Sequence, residues 1–263
     1  MASESAPARQ ILAAPRRVLR FGPTERAFHW IHAAGFTVMT GTGVVMYLPA
    51  LSARISDRPT LKAIHLTAAV LWVAALVVVP LLGDRRALRA AVRQLETFDA
   101  DDRRWLLGPG RHRRRGPGWR ARIPQGRFNA AEKAHSIVQA ALAVLFVVSG
   151  VLLWLGERDT AFRLPGTIPL HDGAMFVALV LVAGHVYLSL VHPPTKPAMR
   201  GMLTGEVDAD WAEAHHPKWD APPADAPPPG YDAARRSRPG AAPVVAALGV
   251  ATTAVLVVVL VVL

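Results

Sequence analysis

Residues 171 to 185 read HDGAMFVALVLVAGH, an apolar run with a histidine at each end and no charge after Asp172. Read as a helix, the run turns through about 1400° between the two imidazoles, roughly 40° short of four full turns. His171 and His185 therefore share a face, roughly 21 Å apart along the axis at about 1.5 Å per residue. Two other histidines have matching positions. His29 opens the first apolar stretch of the chain and His65 opens the second. If successive stretches cross a bilayer in alternation, His29 lies at the depth of His185, and His65 at the depth of His171. Two imidazole pairs stacked across a membrane are the ligand set that two b-type haems require, because neutral imidazole is a good axial ligand for iron. An ionisable residue inside a membrane is costly, so four in depth-matched pairs argue for function over mere packing. The chain has no cysteine. Thiolate-held clusters, zinc ribbons and CxxCH haem attachment are thereby excluded.

The remaining histidines do not join a pair. His32 follows His29 by three residues, about 60° around the helix. It reads as an interfacial or quinone-region residue, as does His135. His192, His215 and His216 lie beyond the fourth apolar stretch and read as surface or interface. Gly35, Gly41, Gly43, Gly150, Gly173 and Gly184 lie near the candidate ligands. They could let a porphyrin approach the backbone, or they could pack helices against one another. Both readings stay open on sequence alone.

The elements that must position these residues are membrane spans. Hydrophobic residues make up 52% of the 263, yet the formal net charge is +11. That combination marks a membrane protein with basic loops, and the arginines sit between apolar runs instead of on an aromatic-studded surface, which speaks against nucleic-acid binding. Five apolar stretches approach or exceed the roughly 20 residues that span a bilayer. They run over about 28–48, 64–82, 134–155, 170–191 and 241–263. The last has no histidine, charge or aromatic residue, so it offers no ligand and reads as a packing or anchoring span. The N-terminal residues lack the apolar region and cleavage site of a signal peptide. Residues 84–127 hold thirteen arginines against five acids, including RHRRR at 111–115. By the positive-inside rule this loop, the N-terminus and the region after span four are cytoplasmic. Residues 221–240, APPADAPPPGYDAARRSRPG, read as a semi-rigid linker.

Four segments carry a family resemblance. They are ERAFHW at the start of span one, GRFNAAEK before span three, the His171 and His185 pair, and MRGMLTGEVDADWAEAHHPKW after span four. Over about residues 20–220 the chain resembles the cytochrome b, or gamma, subunit of respiratory formate dehydrogenases. The resemblance implies that His29 and His185 hold an inner haem b and that His65 and His171 hold an outer one. It also implies a quinone pocket beside the inner haem, with Asn129 touching a quinone oxygen. Where the family usually has Gly-Gln, this chain has Ala131 and Glu132, and Glu132 would be placed to supply protons. Arg26 and Arg127 would neutralise haem propionates or simply flank the membrane.

The expectation is an all-α membrane protein: a four-helix diheme cytochrome b core plus a fifth C-terminal transmembrane helix. Residues 1–25 form a cytoplasmic segment, 26–205 the diheme domain with a basic loop at 83–128, 206–240 a cytoplasmic tail and linker, and 241–263 the fifth span. Expected cofactors are two haem b, with quinone as acceptor. Expected partners are an iron–sulfur subunit, a molybdenum or tungsten formate dehydrogenase catalytic subunit and membrane lipid, with no nucleic acid. The chain is expected in a bacterial inner membrane, N-terminus cytoplasmic and C-terminus outside. The alternatives are the b-type cytochrome of a hydrogenase or other oxidoreductase, and a haem-free membrane anchor.

Overall fold

The computed structural model describes residues 16–55, 57–108 and 119–224. Helix α1 spans Pro23–Tyr47. Pro23 suits the first turn, where its missing N–H is not needed, and the Glu25 carboxylate accepts from the Gly22 N–H at 2.8 Å. The helix stops because Leu48 precedes Pro49, and a residue before proline is pushed out of helical geometry. A short helix, α2 at Pro49–Ile55, then turns away by 111°. Helix α3, Arg58–Leu82, begins where the Asp57 side chain accepts from the Thr60 N–H. Helix α6, Ala130–Gly156, and helix α7, Thr167–Leu190, follow the basic segment.

Three of these helices, α3, α6 and α7, are long and apolar enough to cross a membrane, and α1 with α2 makes a fourth candidate. Their large apolar residues point outward. Val77, Val144, Val148 and Val180 are each more than half exposed, as lipid-facing residues of a span would be. The helices pack chiefly as two pairs, α1 along α3 and α6 along α7, with α1 also meeting α7. Gly35 permits the first pairing, since a Cβ there would stand 2.7 Å from Cδ1 of Trp72. That glycine is a packing residue.

The polar end of the bundle is more structured than its composition suggests. The basic segment, expected as a loop, contains helices α4 at Arg85–Glu96 and α5 at Ala100–Leu107. Ala87 and Ala91 are the buried stripe of α4, one turn apart, while Arg85, Arg86, Arg89 and Arg93 face outward. Such a short alanine stripe is hidden by the arginines in any reading of overall charge. Residues 206 onward, expected as a tail, also fold. Strand β1, Arg17–Leu19, pairs antiparallel with strand β2, Glu206–Asp208, setting Val18 opposite Val207. Helix α8, Met199–Thr204, leads into β2, and helix α9, Ala209–His215, follows it. Val18, Val207, Ala209 and Ala212 form a small core covered by Trp211 and Trp219. The boundaries drawn at 25/26 and 205/206 therefore cut through one folded cap. RHRRR, most of the proline-rich linker and the fifth apolar stretch lie outside the described residues.

Candidate functional site

Three helices, α1, α3 and α7, bring the paired histidines together. His65 of α3 and His171 of α7 have ring centroids 6.3 Å apart. His29 of α1 and His185 of α7 have centroids 6.1 Å apart. An imidazole nitrogen binds a first-row metal at about 2 Å, and its ring centre lies about 1 Å further back, so two rings sharing one metal stand about 6 Å apart. Both pairs meet that requirement. The pair formed by His29 and His185 lies toward the folded cap, and the pair formed by His65 and His171 lies toward the opposite end of the bundle.

The far pair has a hydroxyl behind each ring. Thr42 Oγ1 is 2.9 Å from Nδ1 of His65, and Ser149 Oγ is 2.7 Å from Nδ1 of His171. Each hydroxyl also donates to its own helix, Thr42 to the Val38 carbonyl at 2.8 Å and Ser149 to the Leu145 carbonyl at 2.6 Å. A hydroxyl has a single hydrogen, so each must accept from Nδ1–H. That leaves Nε2 of both rings as the free lone pair, the tautomer an axial ligand needs. The next residue after each hydroxyl is glycine. A Cβ at Gly43 would stand 3.7 Å from Cε1 of His65, and one at Gly150 the same distance from Cε1 of His171. Gly41, Gly173 and Gly184 face open space within 4 Å. The residues present thus fit a flat, bis-imidazole-ligated group such as haem.

The cap-side pair has aromatic surroundings. Trp30 lies edge-on to His29, with its indole N–H donating to the Met202 carbonyl of α8 at 3.0 Å. His135 of α6 stacks on His185, with centroids 5.2 Å apart and rings 8° from parallel. His32 accepts from the Trp72 indole N–H at 3.1 Å. Neither His32 nor His135 belongs to the two pairs at metal-sharing separation.

Where α6 starts, the residues read for quinone contact form a helix cap. The Asn129 side chain accepts from the Glu132 N–H, and the Glu132 carboxylate accepts from the Asn129 N–H, both at 2.9 Å. Arg20, only 2% exposed, holds the same carboxylate at 3.0 and 3.2 Å. Glu132 is therefore committed to an ion pair and a cap, which argues against the proton-supplying role expected of it. The Asn129 amide still has its NH2 to offer. Ala131 is half-buried beside them. Arg127 is also committed. Its guanidinium donates to the Arg20 carbonyl at 2.9 and 2.5 Å and to Glu25 at 2.6 Å. A propionate would have to displace those bonds, so Arg127 is a clasp between β1, α1 and the start of α6. No carboxylate pairs with Arg26 among the described residues.

Sequence reasoning missed this clasp, and it misplaced His216. That ring is 3% exposed, packs between Trp211 and Trp219, and donates Nδ1–H to the Gly126 carbonyl at 2.6 Å. Burial, reinforced by Arg20, lowers its pKa to about 4, so it is neutral at pH 7. Lys133, at the base of α6, is buried against Asp102 of α5 at 2.6 Å. A cavity of about 430 Å³ opens within the cap, lined by Arg20, Glu25, Arg127, Lys133 and Lys218 among others. Each of these charges is already paired, and none of the paired histidines lines it.

Comparison with known proteins gives the same direction. The family model for prokaryotic cytochrome b561 matches residues 20–205. The chain is 24% identical over 215 residues to the formate dehydrogenase cytochrome b556 subunit of Haemophilus influenzae, covering 77% of this chain and 82% of that relative. It is 32% identical over 97 residues to the formate dehydrogenase cytochrome b556(fdo) subunit of Escherichia coli K12, covering 36% of this chain and 44% of the relative. For the nitrate-inducible cytochrome b556(Fdn) subunit of the same strain the figures are 25% over 97 residues, 36% and 43%. The alignments with the two E. coli relatives span less than half the length of those proteins.

Proposed function

We propose, from the premise that this chain belongs to the prokaryotic cytochrome b561 family, that it is the diheme, quinone-reducing membrane subunit of a formate-dehydrogenase-like complex. Membership makes it an integral-membrane b-type cytochrome with an electron-transfer role. The observation that carries the finer reading is the pair of imidazole separations, 6.1 and 6.3 Å, at two levels of one bundle. His29 and His185 would hold one haem b, and His65 and His171 the other. Bound there, haem supplies one-electron redox chemistry, while the protein fixes ligand geometry, spacing and dielectric.

The core among the described residues has four spans, with α1 and α2 together counted as one. The thirteen arginines of residues 84–127 hold the cap on the cytoplasmic side. In that orientation His29 and His185 are the inner pair, and the start of α1 lies on the cytoplasmic side. Asn129, through its free NH2, would donate to a quinone oxygen, with Ala131 and the capped Glu132 lining the same edge. Arg26 would meet a propionate. The partners are an iron–sulfur subunit and a molybdenum or tungsten catalytic subunit, an assignment that rests on what the relatives are named for.

The test is a pyridine haemochrome assay on the purified chain, with an expected two haem b per polypeptide. One haem or none would remove the diheme reading. Formate-dependent reduction of the b-type band in the native complex tests the donor, and reduction by hydrogen instead would reassign it.

A further inference from the structure

Two dipeptides recur around the far histidine pair. Thr42-Gly43 on α1 serves His65 of α3, and Ser149-Gly150 on α6 serves His171 of α7. In each, the hydroxyl hydrogen goes to the carbonyl four residues back, which leaves the oxygen to accept from the imidazole Nδ1–H. In each, the glycine lies beside Cε1 of the same ring, at 3.7 Å from a Cβ built on it. The cap-side pair has no such anchor among its described hydrogen bonds. The four residues come from two helices that are far apart in sequence.

We propose that Thr42-Gly43 and Ser149-Gly150 are paired positioning elements that fix tautomer and ring rotation at the far haem. They set its redox potential separately from that of the other haem. The inference rests on the diheme reading. Chemically, an acceptor on Nδ1–H draws that proton outward and makes Nε2 a stronger donor. A stronger donor favours ferric over ferrous iron. The hydroxyls therefore hold the far haem at a lower potential than the same ligands would give alone. The glycine half keeps the space beside the ring open for the macrocycle.

The experiment is an optical redox titration of the full-length protein in detergent or nanodiscs. A His65→Ala variant, lacking the far haem, identifies that haem's component. Thr42→Val keeps shape and removes the hydroxyl, and Ser149→Ala does the same on the other side. Each is expected to move the far component to higher potential, leave the other in place, and weaken far-haem retention about 10- to 100-fold, the usual effect of removing an outer-shell partner. Thr42→Ser is expected to restore the wild-type value. Selective loss of the far haem in Thr42→Val, with retention in Thr42→Ser, also supports the proposal. Unchanged potentials in both variants, or an equal shift of both components, would overturn it. The wild-type haem count reports on the diheme reading alone, so a failure there is distinct from a failure here.

Discussion

The two histidine pairs have nearly the same ring separation and very different surroundings. The far pair is held entirely by membrane helices, with a hydroxyl behind each ring and a glycine beside it. The cap-side pair leans on the folded cap. Trp30 beside His29 bonds to α8, and α6, which carries His135 against His185, is tied at its base to Arg20 and Asp102. One pair is positioned by the bundle, the other by the bundle and the cap together. Ligand distance alone therefore does not describe a site. What stands behind the ligand decides which perturbations reach it.

The comparison breaks most sharply at the paired histidines, if they hold haem as proposed. Replacing His65 or His171 with alanine is expected to halve the haem content by removing the far haem, and replacing His29 or His185 to halve it by removing the other. Haemochrome counts and the split of the reduced band check this. His135→Ala is expected to keep two haems and alter only the spectrum of the cap-side one. A loss of haem in that variant would make His135 a ligand.

Next in size is the cap. Asp102→Ala leaves the Lys133 ammonium buried without its counter-ion, with only its bond to the Thr97 carbonyl remaining, and breaking a buried pair this way costs about 3–5 kcal/mol. Denaturant titration followed in the Soret region is expected to show the cap-side haem released earlier than in the wild type, with the far haem barely moved. Simultaneous release of both would mean that the cap supports the whole bundle equally.

A smaller effect is expected at the start of α6. Asn129→Ala removes an N-cap worth about 1 kcal/mol. If its NH2 also contacts quinone, quinone-dependent turnover falls while both haems stay bound. Asn129→Asp keeps the cap and loses the donor, so turnover in that variant separates the two roles.

A further effect is expected with pH. His216 has a folded pKa of about 4 against an ordinary value near 6.5. Its contribution to cap stability is therefore complete above about 6.5 and lost as pH falls toward 4. Asp99, lowered to about 2 chiefly by its hydrogen bond from Lys218, adds a further loss below about 3.8. Tryptophan fluorescence of the cap is expected to report loosening between pH 6.5 and 4 before the far haem's spectrum responds.

The depth of each histidine was legible in the sequence because depth is local. It depends only on the rise per residue and on where the imidazole sits in its own apolar run. The positions of α3, α6 and α7 were legible for the same reason, although the structure starts α1 and α3 several residues earlier, at Pro23 and Arg58, where a proline and an aspartate cap set the first turn. The short helix α2 was hidden in the apolar continuation past Pro49. The cap was hidden for a different reason. Its strands are three residues each, and they meet only because positions 17–19 and 206–208 are brought together from opposite ends of the described chain. The same holds for Arg20 with Glu132, for Arg127 with Glu25 and for His216 with Gly126. It holds also for Thr42 with His65 and Ser149 with His171, where a hydroxyl in an apolar run gives no sign of which ring it will face. Local chemistry wrote the candidate histidines and their spacing along each helix. Helix rotation and approach, set by packing contacts such as Gly35 against Trp72, decided which groups stand behind them.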